Sequence, residues 1–73
     1  MIVWNENKDL FIKPSASFAT EKDRQQYRDI QWKVTKNANL YVDFESVETL
    51  NTLGCIILTS WWNHSIRQNA NMI

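Results

Sequence analysis

VDFESVETLNTLGCIIL, running from Val42 to Leu58, is the stretch that decides the fold, because one hydrophobic period replaces another within it. Its first residues continue an alternation of apolar and polar side chains, which is typical of a strand. After Gly54 the apolar residues recur at helical spacing, and Asn51 or Thr52 can serve as the helix cap. The stretch therefore predicts a strand, a short loop and a helix.

The predicted strand extends from Leu40 to Ser46. Leu40, Val42 and Phe44 would face the core, and the residues between them, Asp43 included, would face the other way. The helix places one set of residues on its inner side: Leu53, Ile57, Leu58, Trp61 and Ser65.

A second apolar face lies on the same helix and consists of Ile56, Trp62 and Ile66. A helix that is apolar on more than one side is either central to the core or shared with a partner. We therefore expect these three residues to form an oligomer interface.

Upstream of the stretch, two short apolar runs, Met1 to Trp4 and Leu10 to Ile12, flank turn-forming residues and predict a hairpin. Thr20 is a good N-cap for a helix that would run to about Thr35. This helix would bury a stripe of apolar residues, Tyr27, Ile30 and Val34. The closing residues NANMI are the expected start of one more strand. The predicted fold is a small α/β domain, residues 1–73, with the element order ββαβα.

Composition limits the function. Eight basic residues balance eight acidic ones among 73, which removes the electrostatic case for nucleic acid or an anionic membrane surface. No apolar window has the roughly 20 residues that span a bilayer, so no membrane insertion is expected. A single cysteine suits the reducing cytoplasm. A chain this short is marginally stable alone, which favours a homo-oligomer.

Catalytic and metal sites are not expected. Cys55 and His64 lie nine positions apart on one predicted helix, about 13 Å along its axis and on opposite sides. Asp43 and Glu45 share one face of the predicted strand, where a solvated polar face is the simpler interpretation. No cofactor or metal is expected either, because the chain has one glycine and one histidine. The four tryptophans are expected in a small core or at an interface.

The segment LYVDFESVETLNTLGCIIL, Leu40 to Leu58, resembles the central signature of STAS domains, the family of anti-sigma factor antagonists. That signature is a strand ending in Asp, a loop with Val, and Asp-Ser-Ser-Gly opening a Leu-rich helix. Asp43, Val47 and Leu50 match its strand and loop, Thr52 matches the first, phosphorylatable serine, and Gly54 matches the glycine. Asn51 stands where the family usually has Asp, and Leu53 replaces the second serine.

The resemblance implies a noncatalytic protein-binding module that docks its partner through the strand-to-helix loop. The residues expected to contact the partner are Asp43, Ser46, Val47, Asn51, Thr52, Gly54 and Cys55. It also implies possible control by phosphorylation of Thr52, whose added charge would lie near Asp43 and Glu48. The partner would be a kinase-like anti-sigma factor or the ATPase of a lipid-transport complex.

The chain is shorter than the family's fold, which leaves a sheet edge uncovered and favours self-association by edge pairing or by the second helix face. Two other functions stay open. One is a small inhibitor or immunity-type protein, for example one encoded on a mobile element, which would block its target with the Trp61 and Trp62 region. The other is an enzyme that is active only as an oligomer and uses Asp43 or Cys55.

Overall fold

The structure is a computed structural model that describes all 73 residues. The helical and strand elements, in chain order, are β1 (Ile2–Glu6), β2 (Asp9–Lys13), β3 (Ser17–Phe18), a 3₁₀ turn (Glu21–Asp23), α1 (Arg24–Asp29), a second 3₁₀ turn (Ile30–Lys33), β4 (Asn39–Val42), β5 (Thr49–Leu50), α2 (Thr52–Arg67) and β6 (Asn71–Met72). The predicted α/β class and the order hairpin, helix, strand, helix are confirmed.

A four-stranded sheet has the order β1-β2-β4-β6. The predicted hairpin is antiparallel and turns at Asn7 and Lys8, where Asn7 takes the left-handed φ of 57° that asparagine tolerates. β4 runs parallel to both β2 and β6. The closing NANMI segment therefore does contribute a strand. β3 and β5 form a separate two-stranded parallel sheet.

All the helical segments pack on one face of the large sheet. Leu10, Ile12 and Leu40 point toward them from β2 and β4 and are fully buried. Trp61 of α2 fills the centre of this layer, and its indole N–H donates to the Tyr27 carbonyl at 2.7 Å. As predicted, the inner residues of α2 line this core, and among them Ile57 and Ser65 are completely buried.

The opposite face of the sheet has no helix over it and carries an aromatic ladder. Trp4 stacks on Phe11 with ring centroids 5.4 Å apart, and Phe11 stacks on Tyr41 at 4.6 Å. The rings are nearly parallel, because these residues are cross-strand neighbours in register on β1, β2 and β4. Trp4, on the outermost of these strands, is 40% exposed.

The helix expected from Thr20 to Thr35 is only partly correct. Thr20 does cap it, since its hydroxyl accepts from the Asp23 amide, and Tyr27, Ile30 and Val34 are all buried. The segment is nevertheless one short α-helix between two 3₁₀ turns, and Val34 is already extended. Aromatic and β-branched residues are concentrated in its second half and are poor helix formers.

The strand expected from Leu40 to Ser46 ends at Val42, and the placement of Phe44 in the core was wrong. The Asp43 carboxylate accepts from the Glu45 amide at 2.9 Å, which bends the backbone into a turn. A second bond, from the Val47 amide to the Phe44 carbonyl, closes the next turn. Phe44 is left 43% exposed, with one side toward Phe18.

Gly54 lets α2 pack directly against the backbone of β3. A Cβ at this position would overlap the carbonyl oxygen of Phe18 and would come within 2.7 Å of the Leu50 Cδ1 atom. A glycine lets another backbone approach a helix closely, and here that backbone is the chain's own.

Gly54→Ala is expected to lower the free energy of unfolding by about 1–3 kcal/mol, because the added methyl group has no space beside an immobile carbonyl. Chemical denaturation measures the loss. Ser60→Ala, a matched change on the same helix, should stay within about 0.5 kcal/mol of wild type. Equal stability of Gly54→Ala and wild type would contradict the close contact.

Candidate functional site

The strand-to-helix junction is held against β3 by backbone hydrogen bonds. The amides of Glu48 and Thr49 both donate to the Ala16 carbonyl, at 2.8 and 3.0 Å. The Asn51 amide donates to the Phe18 carbonyl at 3.1 Å. The loop that the sequence singled out as a docking element is thus fixed to the body of the protein before the helix begins.

Asn51 is the N-cap of α2, and its carboxamide joins the helix to the segment after β3. Oδ1 accepts from the Gly54 amide at 2.8 Å and from the Ala19 amide at 3.0 Å. Nδ2 donates to the Ala19 carbonyl at 2.6 Å. Both polar atoms of the side chain are therefore occupied inside the fold.

Asparagine fits this position better than the aspartate expected from the STAS signature. A carboxylate would keep the cap, since Asp and Asn are equally good N-caps. It would however set a second acceptor against the Ala19 carbonyl, where the amide now donates. The hydrogen bonds around position 51 therefore favour asparagine over aspartate in this chain.

Thr52 is the first residue of α2 and is exposed. Asn51 provides the cap, so the alternative interpretation of Thr52 as the capping residue was wrong. Its hydroxyl is not needed to begin the helix. Cys55, one turn later, is also exposed and is a free thiol.

The other residues expected to bind a partner divide into accessible and buried ones. Asp43 and Ser46 are exposed, and the Asp43 carboxylate lies 3.9 Å from the Lys13 ammonium group. Val47 is half-buried against the core. Gly54 is buried beneath β3 and presents no surface of its own.

The outward side of α2 is apolar and is covered by nothing in this chain. We call it the docking face and define it by the following residues: Thr52, Cys55, Ile56, Thr59, Trp62 and Ile66. Ile56, Trp62 and Ile66, which the sequence placed on a second apolar face of this helix, are 57%, 52% and 61% exposed, respectively. No charged residue occurs from Asn51 to Asn63, so this surface also lacks the lysines and glutamates typical of a solvated helix.

Two exposed apolar residues beside the start of α2 were missed. Leu50 is 50% exposed and lies next to Gly54, and Phe44 borders Phe18, whose backbone touches the same glycine. Strand alternation assigned Phe44 to the core. The signal that points outward is the Asp43 side chain, which favours a turn where the alternation would otherwise continue.

The tryptophans do not act together. Trp61 is buried, so the prediction that Trp61 and Trp62 together contact a target is wrong for Trp61. Trp62 is on the docking face. Trp32 is 68% exposed on the second 3₁₀ turn, where it meets His64 edge-on at 5.2 Å. Trp4 belongs to the ladder on the far side of the sheet.

The structure does not bring the candidate catalytic residues together. Cys55 and His64 lie nine residues apart on α2, as the sequence suggested. No cluster of three His, Cys, Asp or Glu side chains has a geometry that could hold a metal ion. None of the helices has the length and apolar character that crossing a membrane requires.

Comparison with models of protein families, with curated proteins and with solved structures finds no match to this chain.

Asn51→Asp is expected to lower the free energy of unfolding by about 2 kcal/mol, because the amide that donates to the Ala19 carbonyl in a part-buried hydrogen bond is replaced by an acceptor. Thermal or chemical denaturation at neutral pH measures the difference. Thr52→Ala, at the neighbouring position, should change stability by less than about 0.5 kcal/mol, since its hydroxyl does not cap the helix. The reverse order of the two variants would show that Thr52 is the capping residue.

Proposed function

We propose that this chain is a noncatalytic protein-binding module that docks a protein partner on the outward side of α2. The observation that carries the proposal is the docking face itself, an exposed apolar surface on a helix without charge over its first three turns. Exposed apolar surface of this kind marks interaction sites in soluble chains.

The spacing of the docking face favours a helix as the contacting element of the partner. Its residues Thr52, Cys55, Thr59, Trp62 and Ile66 follow one another at intervals of three and four. This is the spacing with which one helix packs along another. The partner surface would be an apolar helix with small residues opposite Trp62, because that indole is the largest projection on the face.

The resemblance to STAS domains suggests the class of partner, a kinase-like anti-sigma factor or a transport ATPase. It also suggests control at Thr52. The structure leaves the Thr52 hydroxyl exposed and free of the capping role, at the N-terminal end of the docking face. A phosphate there would add nearly two negative charges at the border of an apolar contact. In this proposal the protein acts in the cytoplasm, where Cys55 stays reduced.

A second candidate function is a small inhibitor or immunity-type protein that blocks its target with the same helix. Exposed Trp62, one turn from exposed Ile66, favours it, since tryptophan is enriched among the residues that carry most of the binding energy of an interface. Trp61 has no part in this version, because it is buried. The two candidates differ in whether Thr52 matters.

The test begins with capture of partners from the native lysate on immobilised wild-type protein, followed by calorimetry with the purified partner. Trp62→Ala should weaken binding roughly 30-fold, because a tryptophan at the centre of an interface commonly carries a large share of the binding energy. Trp32→Ala removes an indole that is even more exposed than Trp62 but lies outside the docking face, and it should leave the affinity within about twofold. Equal losses in both variants, or none in either, would contradict the assignment of the surface.

Thr52→Glu separates the two candidate functions. A STAS-like switch predicts that binding weakens roughly tenfold or more, because an unpaired carboxylate would be desolvated at the contact. Thr52→Val, which keeps the shape without charge, should bind like wild type. Unchanged binding by Thr52→Glu together with a loss in Trp62→Ala would favour the inhibitor.

A further inference from the structure

We infer that two copies of this chain associate by pairing their β1 strands in an antiparallel manner, with Trp4 on the two-fold axis. The contact is separate from the docking face and does not depend on the proposed function. It would join the two four-stranded sheets into one sheet of eight strands, with the aromatic ladders of both copies in line.

The first observation is that the β1 edge is open and unprotected. β1 is the outermost strand of the sheet, and only Val3 among its five residues is partly buried. It pairs with β2 in unbroken register from Ile2 to Glu6, without a bulge. It contains no proline or lysine, and its single charge is Glu6 at the end. Edge strands of natural monomers are usually protected against pairing by a bulge, a proline or a lysine, and β1 has none of these.

The second observation is which backbone groups are free. The two-residue turn makes Glu6 and Asp9 a hydrogen-bonded pair, so alternate residues of β1 bond to β2: Ile2, Trp4 and Glu6. The N–H and C=O groups of Val3 and Asn5 therefore point away from the sheet. Antiparallel pairing centred on Trp4 matches Val3 of each copy with Asn5 of the other, and satisfies all four groups on both strands.

The third observation is the aromatic ladder, which ends abruptly at this edge. One face of the Trp4 indole is stacked on Phe11, so its other face is turned toward the open side of β1. Pairing about Trp4 brings the two indoles opposite each other at the close, non-hydrogen-bonded spacing of an antiparallel pair. The ladder of three rings on each copy then continues into one ladder of six.

Charge is compatible with a second copy in this register. Glu6 of one copy would lie across from Ile2 of the other, so no like charges face each other on the paired strands. On the inner side, β1 overhangs an open cavity of about 360 Å³ lined by Met1, Val3 and Ile30. Asp29 and Lys33 border this cavity, so each copy would bring one acidic and one basic side chain close to the paired β1 strands.

The experiment is sedimentation equilibrium over the micromolar range, combined with amide hydrogen exchange by NMR. Wild type should show twice the 8.7 kDa monomer mass. The amides of Val3 and Asn5 should gain protection as the protein concentration rises, whereas those of Ile2 and Trp4 should be protected at every concentration by β2. A wild-type monomer throughout, or no protection at Val3 and Asn5 in the dimer, would overturn the inference.

Two variants test the edge, and one tests the competing face. Trp4→Lys puts like charges on the axis and should weaken the dimer roughly 100-fold. Asn5→Pro removes an outward N–H without disturbing the bonds to β2 and should also give monomer; far-UV circular dichroism confirms folding of both. Ile66→Lys, the same kind of change on the docking face, should leave the dimer intact. Dissociation by Ile66→Lys alone would overturn the inference and assign self-association to α2.

Discussion

The close contact between α2 and the backbone of β3 is the constraint on which the rest of the structure depends. Gly54 touches the Phe18 carbonyl directly, and the Asn51 carboxamide bonds to both backbone groups of Ala19. Phe18 in turn stacks on Tyr27 at 4.9 Å and lies 5.5 Å from the Trp61 ring. Fixing the start of the helix thus fixes which of its sides reaches the aromatic centre of the core.

The docking face is a consequence of that constraint. With Ile57 and Trp61 turned inward, the residues half a turn away must face outward, and there the sequence supplies isoleucine, tryptophan, threonine and cysteine without any charge. A small domain buries a modest share of its surface. The apolar outward side of α2 is therefore surface that the fold of one chain leaves uncovered.

The sheet shows a comparable separation of roles. Its inner side, with Leu10, Ile12 and Leu40, belongs to the core, while its outer side carries an ordered stack of aromatic rings. The rings stack on one another across the strands, so most of their faces contact a neighbouring ring and do not face solvent. The stack leaves one indole face unmatched at the β1 edge.

The sequence by itself determined the elements whose signals are local: the N-terminal hairpin, the Thr20 cap, and the inner and outer sides of α2. These depend on turn chemistry and on side chains three or four residues apart. Only the tertiary structure decided that β4 lies between β2 and β6, that Trp61 is buried while Trp62 is exposed, and that Gly54 meets Phe18. Each of these depends on residues distant in the chain, and no local period records such contacts. Phe44 illustrates the limit, because alternation placed it inside, whereas the turns closed at Asp43 and at Phe44 itself leave it exposed.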